Sequence, residues 1–156
     1  MILDSLLEFA DATALSTSAT GLALVGNVID LGAPPSGSVY RDIGSADPLY
    51  LVINIDTAVT SAGSATVSFV LASDAQAAIA VDGSASQHFA TAAIAKASLI
   101  AGYSVAVIQL PRDGGVPYER YLGILQNVGT AALTAGKFNA FLTSTPAVWK
   151  AYTDGV

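Results

Sequence analysis

The chain alternates apolar and polar residues with a period of two over several short stretches. This spacing is typical of strands whose two faces meet different surroundings. Within residues 49–56, Leu51, Ile53 and Ile55 fall on one face, and residues 65–71 repeat the same alternation. Both stretches therefore predict strands with one face turned toward a core.

Further strand candidates are rich in β-branched or aromatic residues and are bounded by Gly, Pro, Asp or Ser. They are 27–31, 88–94, 104–110, 120–128 and 138–143. Residues 60–64 are predicted to form a hairpin loop, whereas 75–80 and 92–97 fit either short helices or crossings between sheets. Seven or eight short strands favour an all-β, single-domain antiparallel β-sandwich that is jelly-roll-like, with a short N-terminal helix or arm.

Residues 1–20 are predicted to form this arm or short helix, and residues 21–156 the sandwich. The N-terminal segment contains five large apolar side chains at nearly helical spacing. They are Ile2, Leu3, Leu6, Leu7 and Phe9. A terminal segment with so much apolar surface is seldom left in water, so it is expected either to contact a neighbouring molecule or to close the domain's own core.

The balance of charge narrows the class of partner. Of the 156 residues only 12% are charged while 53% are hydrophobic, and the formal net charge is −6. An acidic chain repels phosphates and anionic headgroups, so neither nucleic acid nor a membrane is predicted as a partner. The long uncharged stretches, 12–29 and 57–73, are interrupted by Gly, Ser and Thr, so neither is predicted to span a membrane. Two acids among the first eight residues argue against a secretory signal. Sparse charge on an apolar chain suggests that other subunits cover part of its surface.

The usual catalytic constellations are missing from the sequence. The chain has no Cys and a single His, His88, which rules out thiolate sites and multi-histidine metal sites. No Gly-x-Ser-x-Gly motif surrounds a serine, and the two glutamates, Glu8 and Glu119, lie far apart in sequence. Most aspartates adjoin Gly, Ser or Pro, as turn and capping residues do. We therefore predict a protein without enzymatic activity, metal or cofactor.

Aromatic and charged residues suggest binding roles. Tyrosines and Trp149 could stack on sugar rings, which makes a carbohydrate- or receptor-binding module the alternative function, although dispersed tyrosines fit core packing or an oligomer interface better. Because charges are scarce, Arg41 beside Asp42, and Arg120 between Glu119 and Tyr121, are expected to fix a loop or an interface. The tyrosines are Tyr40, Tyr50, Tyr103, Tyr118, Tyr121 and Tyr152.

Six short sequence phrases occur in an order that resembles a known family. They are MILDSLLEFADA at 1–12, NVIDLG at 27–32, RDIG at 41–44, PLYLV at 48–52, ERYL at 119–122 and GKFNAFLT at 136–143. Together they resemble the capsid cement or decoration proteins, which are virion structural proteins, of short-tailed bacteriophages. A proline pair at 34–35 and the Ala-rich stretch 75–97 depart from that pattern.

The resemblance implies a jelly-roll-like protein that is made in the host cytoplasm and is located on the exterior of the virion capsid. Its partners would be the major capsid protein, whose subunits it would bridge, and further copies of itself. Both dimers and trimers fit an apolar edge or face, and the resemblance favours the dimer. The candidate contact residues are Ile2, Leu3, Leu6, Leu7, Phe9, Arg41, Arg120 and Tyr121.

Overall fold

A computed structural model of the chain describes residues 5–17, 20–32, 48–111 and 116–146. The described residues form nine strands and two short 3-10 turns, Ser5–Leu7 and Lys96–Ser98. The strands are β1 (Glu8–Ala14), β2 (Gly21–Asp30), β3 (Tyr50–Thr60), β4 (Thr66–Asp74), β5 (Ser86–Ala90), β6 (Ile94–Ala95), β7 (Ser104–Gln109), β8 (Tyr121–Gly129) and β9 (Ala135–Thr143).

The strands build two antiparallel sheets. Sheet A has the order β1-β9-β3-β7, and sheet B has the order β2-β8-β4-β5, with the two-residue β6 also pairing with β4. When β6 is set aside, successive strands alternate between the sheets except for β4 and β5, which pair within sheet B, and this is the order of an eight-stranded jelly roll. The predicted fold class, an all-β antiparallel sandwich of jelly-roll type, is confirmed.

The main core lies between the sheets and is made by the alternating apolar residues. On β3, Leu51, Ile53 and Ile55 are buried, as the period-two pattern predicted, and on β4 Phe69 packs 5.6 Å, centroid to centroid, from Phe138 of β9. Fully burying one such side chain contributes about 1.5–3 kcal/mol to stability. The outer face of β3 is more buried than its pattern indicated, since Val52 and Asn54 are buried too.

A second, smaller apolar layer covers the outer face of sheet B. The segment 75–85 between β4 and β5 lays Ile79 and Ala85 over Val70 and Leu125. Asp74 starts this segment, because its carboxylate accepts hydrogen bonds from the backbone N–H groups two and six residues later, at 3.0 Å each. The helix that propensity allowed at 75–80 does not form, and these residues instead bend across the apolar face of sheet B.

The N-terminal segment contributes a strand of the sandwich. Ser5–Leu7 is a 3-10 turn, but the following Glu8–Ala14 pairs with β9 as an edge strand of sheet A. Where β1 crosses β2, Gly26 brings its backbone against Phe9: a Cβ at Gly26 would lie 2.3 Å from the Phe9 carbonyl oxygen. An irregular strand with bulges can have the same apolar spacing as a short helix. The sequence pattern therefore did not predict β1.

The prediction of a hairpin at 60–64 is wrong, because β3 lies in sheet A and β4 in sheet B. The segment crosses between the sheets and is hydrogen-bonded to the other connection between them, the one from β8 to β9. Thr134 N–H donates to the Thr60 carbonyl at 2.8 Å, and the Ser61 hydroxyl donates to the Ala132 carbonyl at 2.6 Å. Two strands with alternating apolar residues and a short connecting loop have the same sequence pattern whether they pair within one sheet or lie in opposite sheets.

Candidate interaction surface

The jelly-roll topology brings the predicted contact residues that the structure describes to one end of the sandwich. At this end, called here the Arg120 end, β2, β4, β7 and β9 finish and β1, β3, β5 and β8 begin. The opposite end, the Lys96 end, carries the turn before β7. Leu6 and Leu7 directly precede β1, and Arg120 and Tyr121 stand at the start of β8. Residues far apart in the chain therefore share one end.

Arg120 fixes the corner of sheet B at the Arg120 end. Its guanidinium binds the Asp30 carboxylate in a bidentate manner, with Nε and Nη2 each 2.9 Å from an oxygen, and it lies 4.8 Å from the centre of the Tyr121 ring. Its carbonyl accepts the N–H of Leu31. Both charged side chains are partly exposed, so the ion pair contributes at most about 1 kcal/mol. Its larger effect is to hold the ends of β2 and β8 in one geometry.

The three described N-terminal candidates have three different surroundings. Phe9 is fully buried in the main core, and Leu7 packs against that core from its edge. Leu6 points the other way and is 73% exposed, the largest value among the exposed large hydrophobic residues of the described chain. The segment thus has a buried and an exposed part: Phe9 closes the domain's own core, and Leu6 is largely exposed.

Three of the predicted contact residues, Ile2, Leu3 and Arg41, lie outside the described residues. The same holds for Trp149, and for two of the tyrosines, Tyr40 and Tyr152.

A polar cluster joins β4, β5 and the segment leading into β8 at the Arg120 end. The Ser73 hydroxyl lies 2.7 Å from His88 Nε2 and accepts the N–H of Glu119 at 3.0 Å. The Glu119 carboxylate accepts the Ser86 hydroxyl at 2.7 Å. The His88 ring stacks on Tyr118, with the ring centres 4.0 Å apart. These contacts join the segment leading into β8 to β4 and β5, which already pair with each other in sheet B.

The cluster contains a serine, a histidine and a carboxylate, but it is not arranged as a nucleophile with its base. Ser73 is fully buried, so a substrate has no access to its hydroxyl, and that hydroxyl already makes two hydrogen bonds. The Glu119 carboxylate bonds Ser86, whereas a triad uses its carboxylate to orient the histidine. The contacts of the cluster instead hold the segment before β8 in place against β4 and β5.

Sequence reasoning missed Ser73 and Gln126, although a signal was present. Both continue a buried, otherwise apolar face: Ser73 follows Leu71 on β4, and Gln126 lies between Ile124 and Val128 on β8. A polar residue at such a position must find partners, because burying it without them is unfavourable. The Gln126 amide accepts the N–H and donates to the carbonyl of Ser16, at 2.9 and 2.8 Å.

Two of the described tyrosines, Tyr118 and Tyr121, contact other side chains of the protein. The Tyr118 hydroxyl donates to the Pro111 carbonyl at 2.9 Å while its ring stacks on His88. The Tyr121 ring lies under Arg120, and Tyr103 is at the Lys96 end, away from the others. No common platform for a sugar ring results from these described side chains.

Two further kinds of site were sought in the described part of the chain. Within it, no group of three or more His, Cys, Asp or Glu side chains is placed to hold a metal ion. Nor does any helix of the described residues have the length and apolar character needed to cross a membrane.

Comparison with known proteins gives one family. A family model described as Bbp16 matches residues 9–142, which extend from β1 almost to the end of β9. No curated protein matches the chain.

Proposed function

Since the chain belongs to the Bbp16 family through most of its length, and its sequence phrases resemble capsid cement proteins, we propose that it is a virion structural protein of a bacteriophage. It binds the outer face of the capsid and stabilises the shell by bridging subunits of the major capsid protein. It acts there as a homo-oligomer, with the dimer favoured, and without enzymatic activity.

One observation carries the proposal: the largely exposed Leu6 lies at the same end of the sandwich as the fixed Arg120–Asp30 corner. An exposed apolar anchor beside a rigid polar group is the usual composition of a protein-binding surface. The low charge of the chain supports the same use, because charged side chains are depleted at the centres of such surfaces.

Shell stabilisation follows from mass action. A protein that binds the assembled lattice better than free capsid subunits shifts the equilibrium toward the lattice, and many copies on a symmetric shell add their effects. This requires complementary surface and fixed geometry rather than titratable groups. The hydrogen-bonded cluster of Ser73, His88 and Glu119 serves that requirement by keeping the Arg120 end rigid.

The test is to add the purified protein to capsids that lack it. We expect the protein to cosediment with these capsids and to raise their rupture temperature. Leu6→Asp should weaken cosedimentation at least about tenfold, which corresponds to about 1.4 kcal/mol. Val81→Asp is the matched control, because Val81 is also a largely exposed apolar residue but belongs to the layer over sheet B. Capsids that neither bind the protein nor gain stability would refute the proposal.

The carbohydrate-binding alternative is tested on the same preparation. Binding to a glycan array that is lost in Tyr121→Ala, together with no binding to capsids, would replace the capsid proposal by the alternative.

A further inference from the structure

The sandwich has strands at its sheet edges that differ in how they are protected. Natural proteins protect edge strands with charges, bulges or short length, because an open edge pairs with other chains. Edge strand β1 carries Glu8 and Asp11, has two register shifts and contains Ala12 with a positive φ of 43°. Edge strand β2 is bulged at Gly26, and β5 is only five residues long with a register shift of its own.

Edge strand β7 is six residues long with one register shift, between Ser104 and Ala106, and it carries no charged residue. Its ladder with β3 is regular from Ala106 to Gln109, and residues 97–111 contain no charged side chain. Val107 points outward and is 48% exposed, and Ile100 and Tyr103 just before the strand are exposed as well. In a chain of net charge −6 this run stands out as a neutral, apolar and regular edge.

The hydrogen bonds show which backbone groups are turned to the open side. Leu110 donates its N–H to the Leu49 carbonyl at 2.8 Å, so Leu110 faces β3. Antiparallel ladders alternate, so Ile108 and Ala106 also face β3, whereas Gln109 and Val107 turn their N–H and C=O groups outward. The open side thus presents the donors and acceptors of a further strand.

We propose that the β7 edge pairs with the β7 edge of a second copy of this chain, antiparallel and centred on Val107. This inference rests on the proposed function in one respect, since it supplies the surface for the homodimer proposed there. In this register Ala106 lies opposite Ile108 of the second copy, which continues the apolar row of the core.

Electrostatics selects a second copy as the occupant. Self-pairing centred on Val107 places strand β7 opposite itself, and like charges directly opposite each other would destabilise the pair. The run has no charges, so two acidic molecules can meet here without repulsion at the seam. The paired strands join two four-stranded halves into one continuous sheet, and the exposed Val107 of one copy covers that of the other.

Sedimentation velocity of the full chain over a range of micromolar concentrations tests the pairing. We expect a dimer. Val107→Lys puts two ammonium groups side by side at the seam and should weaken dimerisation at least about tenfold, or about 1.4 kcal/mol. Val107→Thr, which keeps the β-branched shape without charge, should remain dimeric. Val116→Lys, at a residue of nearly equal exposure (47%) in the segment before β8, should also remain dimeric.

Hydrogen exchange supplies a second measurement that a folding defect would not mimic. In the dimer the outward amides of Val107 and Gln109 should exchange slowly, and in the Val107→Lys monomer these two amides should exchange fast while those of Ala106 and Ile108 stay protected. A wild-type chain that is monomeric throughout, or a Val107→Lys dimer, would overturn the inference. Capsid binding is measured separately, so its absence would refute the proposed function and leave the dimer result standing.

Discussion

Gly26 combines two constraints that act on a single residue. Its φ is +77°, and a Cβ there would lie 2.3 Å from the carbonyl oxygen of Phe9. Gly102 has nearly the same φ, +81°, but open space where its Cβ would be. Comparing the two separates the strain of the left-handed backbone from the close approach of β1 and β2.

We therefore expect Gly102→Ala to lower the free energy of unfolding by about 1–3 kcal/mol, the usual effect of a strained backbone conformation. Gly26→Ala should lower it by clearly more, since the backbone of Phe9 must also move. Urea unfolding of the two variants and the wild type provides the measurement. Equal losses would mean that β1 shifts away from β2 without hindrance.

Asp82 illustrates a local effect of pH. The Ser84 hydroxyl and then the Ser84 backbone N–H donate to its carboxylate, at 2.6 and 3.0 Å, and these bonds lower the pKa of Asp82 below its ordinary value. A carboxyl group whose pKa is lower in the folded chain stabilises the fold above its unfolded pKa. That contribution disappears as the pH falls through the folded pKa.

The expected result is an Asp82 pKa below that of an unstructured aspartate in an NMR titration of the side-chain carboxyl carbon. In Ser84→Ala the pKa of Asp82 should rise toward the ordinary value, because the hydrogen bond from the Ser84 hydroxyl, which lowers it most, is gone. Ser86→Ala changes a serine that bonds Glu119 instead, so it should leave the Asp82 titration unchanged. An unchanged titration in Ser84→Ala would contradict the assignment.

At the scale of elements, a glycine of sheet B allows the segment 75–85 to pack closely on that sheet. Gly123 is on β8, and a Cβ there would lie 2.6 Å from Ile79 Cδ1 and 3.2 Å from Leu24 Cδ1. Because Ile79 is buried, its side chain has little room to turn away. The small residue on the strand thus sets the distance at which the segment packs.

A double-mutant cycle tests this fit. Gly123→Ala should destabilise the protein by about 1–3 kcal/mol, as overpacking does. In the Ile79→Val background, which lacks Cδ1, the same substitution should be less destabilising. The readout is the free energy of unfolding of the four proteins, and strictly additive losses would show that the two residues do not compete for the space.

The sequence predicted the elements better than their arrangement. Period-two alternation predicted β3 and β4, because one face of each is buried; Phe69 and Leu71 are examples on β4. Five further strands, β2, β5, β7, β8 and β9, were predicted from β-branched or aromatic residues and the turn residues that bound them. Sheet membership did not follow, since pairing across 60–64 depends on distant contacts such as that between Thr60 and Thr134. Neither did β1, whose bulges disguise the alternation.

The same limit applies to the candidate surface. Arg120 was predicted to fix a loop or an interface because charges are rare in the chain. Its partner Asp30 lies 90 positions away, and only the pairing of β2 with β8 identifies it. The split of Leu6 from Phe9 depends on where β1 begins. Side-chain exposure at a terminus is a property of the packed fold and leaves no pattern in such a short segment.

At the scale of the whole molecule, association and folding are coupled. If two chains pair through β7, only folded chains can dimerise. A higher protein concentration then favours the dimer and, with it, the folded state. We expect the thermal unfolding midpoint of the wild type to rise with concentration. Val107→Lys should show a midpoint that is independent of concentration, and calorimetry across a dilution series would distinguish the two behaviours.

The position of β8 and β9 has a consequence for biosynthesis. β9 lies between β1 and β3, and β8 lies between β2 and β4, so the last two strands of the described residues occupy the interior of both sheets. A nascent chain that ends before Ala135 offers β1 no neighbour and leaves β3 paired on one side only. The ribosome must therefore release nearly all of these residues before either sheet can close, and until then the apolar faces depend on chaperones or on speed to escape aggregation.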